Sequence, residues 1–392
     1  MSKLLISCDD TLFVHGGKYY FKNQEWSDFY NRYLRVFDNL RIAVRCERND
    51  VLKLCRVPID DSRIEVINIP NFSGPIEYAI NYFKIGKSLR NICDGCDAAI
   101  VRIPSTIGQR VARHVIRENL PYGVEVVFDA EDGWKSETKL LNRLLWKLID
   151  NEMREICYNA DGVSCVTEFF LQRHYYSKKK KSFSAHYSTL DLPKSFFSSP
   201  RSFPLGRNFT IANVANQVQF NGRKGFNEII EAMSILKRRG VIVNAKFAGQ
   251  DYHNGIAQFK AMALNLGIDK QVEFVGYLTR PDLDKFLSSV DLFVMPTRAE
   301  GLPRVIIEAM AKGLPVITTP VSGNPELIPS HFLVNYDNVQ VLADRIEELM
   351  SNKDLYENAS EENFSNSLKY ESSILEGRRD VFYKQLKKIT DF

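Results

Sequence analysis

The chain has 392 residues, 44% of them hydrophobic and 26% charged, enough for two domains of ordinary size with packed cores. No run reaches the roughly 18 apolar residues that a membrane span needs. The net charge is only +4, with no recurring basic stripe interleaved with stacking aromatics, which excludes a nucleic-acid binder.

The N-terminal LLISC reads as a first strand rather than a signal peptide, because its apolar segment is short and Asp9 and Asp10 follow it. The protein is therefore expected in the cytoplasm, with peripheral contact at the inner face of the cell membrane as an option. Helix-like NQEWSDFYNRYLRVFD, strand-like RIAVRC and IEVINI, helix-like IEYAINYFKIGKSLRNIC, strand AAIVRI, helix IGQRVARHVIREN and strand VEVVFD come next. A long helical stretch, LLNRLLWKLIDNEMREICYNA, then leads to GVSCVT as the last strand of the half. Such alternation predicts parallel β/α units with right-handed crossovers.

All seven cysteines (Cys8, Cys46, Cys55, Cys93, Cys96, Cys157 and Cys165) fall in this half, and an odd number argues against a disulfide framework. Cys93 and Cys96 form a lone CxxC without the second pair or spaced histidines of a zinc site. The charge excess also lies here, much of it in Lys178–Lys181 beside Tyr175 and Tyr176. That run reads either as a solvated loop or as a contact for anionic lipid headgroups.

Residues 195–208, rich in Ser, Pro and Gly, read as the interdomain linker. The alternation then restarts with FTIANVA, FNEIIEAMSILKRRG, NAKFAG, GIAQFKAMALNLGI, VEFVGYL, RPDLDKFLSSV and DLFVMPT, and continues through VITT to FLVN. An amphipathic helix, SILEGRRDVFYKQLKKI, closes the chain. The expected architecture is α/β, two Rossmann-like domains facing one another across a cleft with ligands at the carboxyl ends of the strands. Their bounds are 1–197 and 198–371, with a final helix at about 372–392. No G-x-G-x-x-G or Walker loop occurs, so dinucleotide and ATP chemistry lose their usual support.

The most informative stretch is RAEGLPRVIIEAMAKGLPVITTPVSGNPEL, where Glu300 and Glu308 straddle a loop-to-helix junction. DLFVMPT is a buried strand, Pro303 suits a helix start, and Gly313 stops the helix. Free amides of the first turn then favour an anion such as a diphosphate. Glu300 at the mouth can accept from sugar hydroxyls, and Glu308 from a ribose diol. Spacing alone does not separate this arrangement from an exposed loop glutamate followed by a helical one.

The run EGLPRVIIEAMAKGLPVITT with PVSGNPELI closely resembles the donor-site signature of family 4 glycosyltransferases, retaining enzymes of the GT-B fold. The first-domain segments KYY, NRYLRVFD and IVRIPSTIG look like enzymes of bacterial surface polysaccharide assembly. The resemblance implies a nucleotide diphosphate sugar donor, UDP- or GDP-linked, a glycan or polyprenyl-linked acceptor hydroxyl, and no metal or other cofactor. It also implies that the last helix crosses back to the first domain.

Several further positions acquire roles by this resemblance. Gly16 and Gly17, after His15, occupy a loop that lies near the donor diphosphate in similar enzymes. Arg223, Lys224 and Gly225 follow the second domain's first strand, where a cation neutralises phosphate charge. Lys224 matches the family's lysine, but the upstream arginine has no counterpart, since residues 213–219 offer only amides. Gly249 and Tyr277, with Gln250, Gly276 and Leu278, end strands near the expected base, and Leu302, Pro303 and Arg304 line the helix start. Asp129 stands where many members have histidine. With Glu131 and Asp132 it is either a sugar-binding or proton-accepting acid or part of a solvated loop. Ser105 and Thr106 precede a helix and read as its N-cap.

The resulting expectation is a retaining glycosyltransferase with Glu300, Lys224 and Asp129 as catalytic residues. The alternatives are a catalytically silent GT-B glycan- or nucleotide-binding subunit, kept open by the absent arginine and by Asp129, and a GT-B epimerase.

Overall fold

The computed structural model describes residues 1–49, 56–135, 140–205 and 208–390. Cys55, positions 206–207 of the expected linker and the last two residues lie outside them. The chain divides into two units, Met1–Glu131 with Lys139–Tyr187 and Glu376–Phe392, and Asp132–Thr138 with Ser188–Leu375.

The first unit contains β1 (Lys3–His15), β2 (Lys18–Phe21), β3 (Asn39–Arg48), β4 (Val57–Pro58), β5 (Ile64–Pro70), β6 (Ala98–Ile103), β7 (Tyr122–Val126), β8 (Gly162–Cys165) and β9 (Phe183–His186). Helices α1 (Gln24–Asn31), α2 (Gly74–Ser88), α3 (Thr106–Arg117), α4 (Ala130–Lys135) and α5 (Leu140–Tyr158) fall between these strands. Seven of the strands pair in parallel in the order β5-β3-β1-β6-β7-β8-β9. Central β6 reads AAIVRI and is buried almost throughout, as a strand covered on both faces must be. Ser105 Oγ accepts from Gly108 N at 2.8 Å, so the expected N-cap of α3 is present, and the helix buries Ile107, Val111 and Val115 at four-residue spacing.

Three features differ from the sequence expectation. The first strand runs past LLISC to His15, with its register against β3 shifting between Ser7 and Thr11. Gly16 and Gly17, both at positive φ, close a two-residue hairpin onto β2, and β4 pairs beyond it. After β8 the short β9 adds one more strand.

The second unit contains β10 (Thr210–Val218), α6 (Phe226–Arg238), β11 (Asn244–Asp251), α7 (Gly255–Asn265), β12 (Val272–Gly276), α8 (Arg280–Ser288), β13 (Leu292–Met295), α9 (Arg304–Ala311), β14 (Val316–Thr318), α10 (Asn324–Leu327), α11 (Val339–Ser351) and α12 (Lys353–Ser367). Its sheet is parallel in the order β12-β11-β10-β13-β14. FLVN contributes only an isolated bridge from Leu333 to Thr318, because a short 3₁₀ turn over Ser330–Phe332 occupies its start.

Arg201 of the expected linker is tied to the second unit, and the division between the units falls at Tyr187/Ser188 rather than at 197/198. Arg201 donates from its side chain to the carbonyls of Lys312 (2.8 Å) and Leu287 (3.1 Å) and from its amide to Ser360 Oγ (2.6 Å).

The closing helix α13 (Ser372–Thr390) belongs to the first unit from Glu376 onward. There Phe382, Tyr383 and Leu386 are completely buried, and Tyr383 donates its hydroxyl proton to Glu125 at 2.8 Å.

Candidate active site

In the second sheet β10 and β13 are neighbours whose connections leave in opposite directions, so a crevice opens beyond their carboxyl ends. Two loops meet there, 219–225 after β10 and 296–303 after β13. The Lys224 ammonium pairs with the Glu300 carboxylate, and Thr297 Oγ1 donates to the same Glu300 oxygen at 2.9 Å. Lys224 keeps a third of its side chain exposed, and Glu300 is mostly buried.

Local sequence explains this meeting. Gly225 has φ +75, and a Cβ there would lie 2.4 Å from Pro296, so a side chain would push the loops apart. Asn213, fully buried on β10, donates to the Lys224 carbonyl at 2.8 Å. Arg298 donates from its amide to the Arg223 carbonyl (3.0 Å) and from its guanidinium to Glu228 on α6 (2.6 Å). The 318–323 segment fixes the other side: Thr319 Oγ1 donates to the Thr297 carbonyl (2.6 Å), and Gly323 N and Ser322 Oγ both donate to the Gly301 carbonyl (3.0 Å each). The roles of Asn213, Arg298 and Glu228 were not read from sequence. A polar residue in the apolar run FTIANVA was the one available signal.

Helix α9 starts at Arg304, which is exposed, after buried Leu302 and Pro303. Its N-cap, Pro303, has no side-chain acceptor; the Ile306 amide turns back to the Pro303 carbonyl at 3.2 Å, which leaves the Arg304 and Val305 amides without an intrahelical acceptor. Glu308 lies in the second turn, half-buried, while Ile306, Ile307 and Met310 anchor the opposite face. Arg223 is exposed one residue before Lys224. Gly249 has φ +147, with the Ala215 carbonyl 2.4 Å from where a Cβ would stand, so close approach of β10 explains the glycine. Tyr277, just past β12, is 72% exposed.

The remaining residues lie in the first unit. Asp129 was expected as an acid at a strand mouth, yet it is 1% exposed. Its Oδ1 accepts from Glu131 N at 3.0 Å and lies 3.4 Å from the Tyr175 hydroxyl, which donates to Asp150 at 2.7 Å. Arg154 joins Asp150 and Glu131 in the same network at 3.1 and 2.8 Å. Burial raises the Asp129 carboxyl above its ordinary pKa. Where β1 and β6 diverge, the exposed Asp9 Oδ2 accepts the Thr106 amide at the start of α3 (2.9 Å). Gly16 and Gly17 lie away from it, at the hairpin tip.

The lysine run is partly engaged. Lys178 stands 3.7 Å over the Tyr158 ring, Lys179 pairs with Asp161 at 2.7 Å, and Tyr175 is buried. Burial pushes the Cys93 thiol up to about 12 and raises Cys96.

Residues 212–365 match the family model for glycosyl transferases group 1, and this stretch holds both loops and α9. The match lies within the second unit, and the fold is that of the GT-B glycosyltransferases. Anabaena HepE, solved in complex with UDP-glucose, aligns over 99% of each chain with a TM-score of 0.65 at 14% identity. Protein CapJ of Staphylococcus aureus is 24% identical over 364 residues, 92% of this chain and 90% of CapJ. The amylovoran biosynthesis glycosyltransferase AmsK of Erwinia amylovora is 33% identical over 130 residues, a match spanning 31% of either protein.

Proposed function

We propose that this chain is a retaining glycosyltransferase of family 4. It would move a sugar from a nucleotide diphosphate to a hydroxyl of a glycan or lipid-linked glycan in cell-surface polysaccharide assembly. The observation that carries the reading is the Lys224–Glu300 pair at the divergence of β10 and β13, beside the uncapped start of α9. A donor diphosphate entering there exchanges the Glu300 carboxylate for phosphate oxygens as the partner of Lys224. Glu300 is then released to accept from sugar hydroxyls, and Glu308 from the ribose diol.

As the glycosidic bond to the diphosphate breaks, negative charge grows on the leaving phosphate. Lys224, Arg223 and the α9 amides are placed to stabilise it. The departing phosphate oxygen takes the acceptor proton on the same sugar face, which gives retention. Asp129, held in its buried network, has no part in this scheme. Cationic side chains and backbone amides supply the needed charge, so turnover is expected to persist in a chelator. The UDP-glucose held by HepE supports a UDP-linked donor, and the likeness to AmsK, an amylovoran biosynthesis glycosyltransferase, supports a polysaccharide product.

The test is a panel of UDP-, GDP- and ADP-sugars scored for nucleotide release with and without lipid-linked acceptors. One donor should turn over, and Lys224→Ala should slow it by about 10²–10³-fold. Tight nucleotide binding without turnover of any donor would favour a silent binding subunit. Wild-type rates in Lys224→Ala would sink the diphosphate assignment.

A further inference from the structure

We propose that the tip of the β1–β2 hairpin carries an oxyanion-binding site for a negatively charged sugar of the acceptor glycan. Calling the ligand an acceptor rests on the transferase reading; the binding itself does not. β1 ends at His15 and β3 at Arg48, so the site stands at the carboxyl end of the first sheet, where open α/β sheets take their ligands. Among the described residues Val14, His15, Gly16, Gly17, Arg48 and Asn49 line a cavity of about 410 Å³ there. That volume is in the range of a small organic ligand, larger than a single ion requires.

Donors dominate the lining. Arg48 is exposed, and among the described residues its guanidinium has no hydrogen-bond or ion-pair partner; the Asn49 carboxamide is likewise free. Gly16 and Gly17 turn the hairpin at φ +56 and +78, and nothing stands within 4 Å of where either Cβ would be, so the turn presents bare backbone to the cavity. Lys18, opposite His15 in the hairpin register, is exposed and adds positive charge. The neighbouring acid Glu47 is directed elsewhere: side chains alternate along a strand, and its Oε2 accepts from Asn71 at 3.3 Å.

His15 contributes an acceptor. Its Nδ1 lies 2.9 Å from the Asn49 carbonyl, which can only accept, so Nδ1 carries the proton and the neutral ring keeps a lone pair on Nε2.

This combination selects the ligand. A guanidinium beside free amide donors suits a carboxylate or phosphate, and an imidazole lone pair next to them suits a hydroxyl. A sugar bearing an oxyanion satisfies both. A neutral sugar would leave Arg48 unpaired, and a bare anion would leave Nε2 unused.

The test is titration of the full chain, labelled at its histidine ring carbons, with glucuronate, glucose 6-phosphate, glucose and inorganic phosphate at fixed ionic strength. The His15 signal is assigned through His15→Gln. One or both charged sugars should shift it saturably, with glucose and inorganic phosphate at least about tenfold weaker. A response to glucuronate alone identifies a carboxylate, a response to glucose 6-phosphate alone a phosphate, and either supports the site. Arg48→Ala should weaken the charged sugar about tenfold, Arg48→Lys should retain part of the affinity, and Arg63→Ala, whose partner is Asp61, should bind like wild type. No saturable shift with either charged sugar, equal affinity for glucose or inorganic phosphate, or unchanged binding in Arg48→Ala would overturn the proposal. With a turning-over donor, Arg48→Ala should raise KM for a charged acceptor and leave the donor KM unchanged; an unchanged acceptor KM would overturn the assignment to the acceptor. Charged-sugar binding without turnover of any donor would fault the transferase reading and leave the site standing.

Discussion

Asp10 shows how one residue can carry a pH dependence. The register shift after Ser7 lifts Cys8–Asp10 out of the ladder with β3, and Asp10 ends 6% exposed with Oδ2 unpaired. Burial is the largest influence and pushes its carboxyl up to about 6, against the Thr11 amide and the charges of Lys22, Arg102 and Arg45. In the unfolded chain the same group ionises near pH 4. Between about pH 4 and pH 6 the folded chain thus holds a proton that the unfolded chain has lost. The resulting stability is full below the unfolded pKa and disappears as pH rises through the folded one. Two pH units correspond to about 3 kcal/mol at neutral pH as an upper bound. Asp10→Asn should accordingly gain up to that amount in denaturant titrations at pH 7.5 and little at pH 4. An equal effect at both values would show that the residue acts through shape, not charge.

At the scale of elements, the 219–225 and 296–303 loops are joined to α6 by the strut from Arg298 to Glu228. Glu228 is 6% exposed, and Arg298 also lies 4.9 Å over the Tyr336 ring, so the guanidinium is fixed from two sides. Because the Arg298 amide also holds the Arg223 carbonyl, loosening the strut shifts Lys224 relative to Glu300. Glu228→Gln should cost roughly tenfold in kcat/KM, mostly in kcat, while Arg298→Lys retains part of the activity. A loss confined to melting temperature would make the strut merely structural. This contact joins residues 70 positions apart, which is why nothing in the sequence announced it. The strand, loop and helix around Glu300 were legible because their signals are local: an apolar run, Pro303, and Gly313 at φ +69. The hairpin at Gly16–Gly17 was hidden because FVHGGKYY reads equally as a loop. The four-residue β9 has no periodicity of its own and is defined by its partner β8. Three acids in four positions suggested a solvated loop or a reactive site, whereas Tyr175, 46 residues on, closes over Asp129.

For the whole molecule, the first unit is discontinuous, and its last piece arrives only after the second unit has been traced. What receives α13 is a buried carboxylate: Glu125 accepts hydroxyl protons from Tyr33 (3.2 Å), Tyr187 (3.0 Å) and Tyr383 (2.8 Å), with Arg102 Nε 3.4 Å away. A charge at that depth is tolerable only when its lone pairs are occupied. Tyr383 thus anchors the helix by more than area, and the surrounding Phe382 and Leu386 fill the space against Gly123, where a Cβ would lie 2.9 Å from the Phe382 ring. Tyr383→Phe keeps the ring and removes one donor to an ion, a change worth about 1.5–3 kcal/mol. Lys387→Ala removes a bond to the Val36 carbonyl and a charge that acts on exposed Asp38, and should cost under about 1 kcal/mol. Denaturant titration of both variants distinguishes the cases. If Tyr383→Phe matches Lys387→Ala, apolar burial alone docks the helix; if it loses several-fold more, the Glu125 cluster is what ties the chain's end to its beginning.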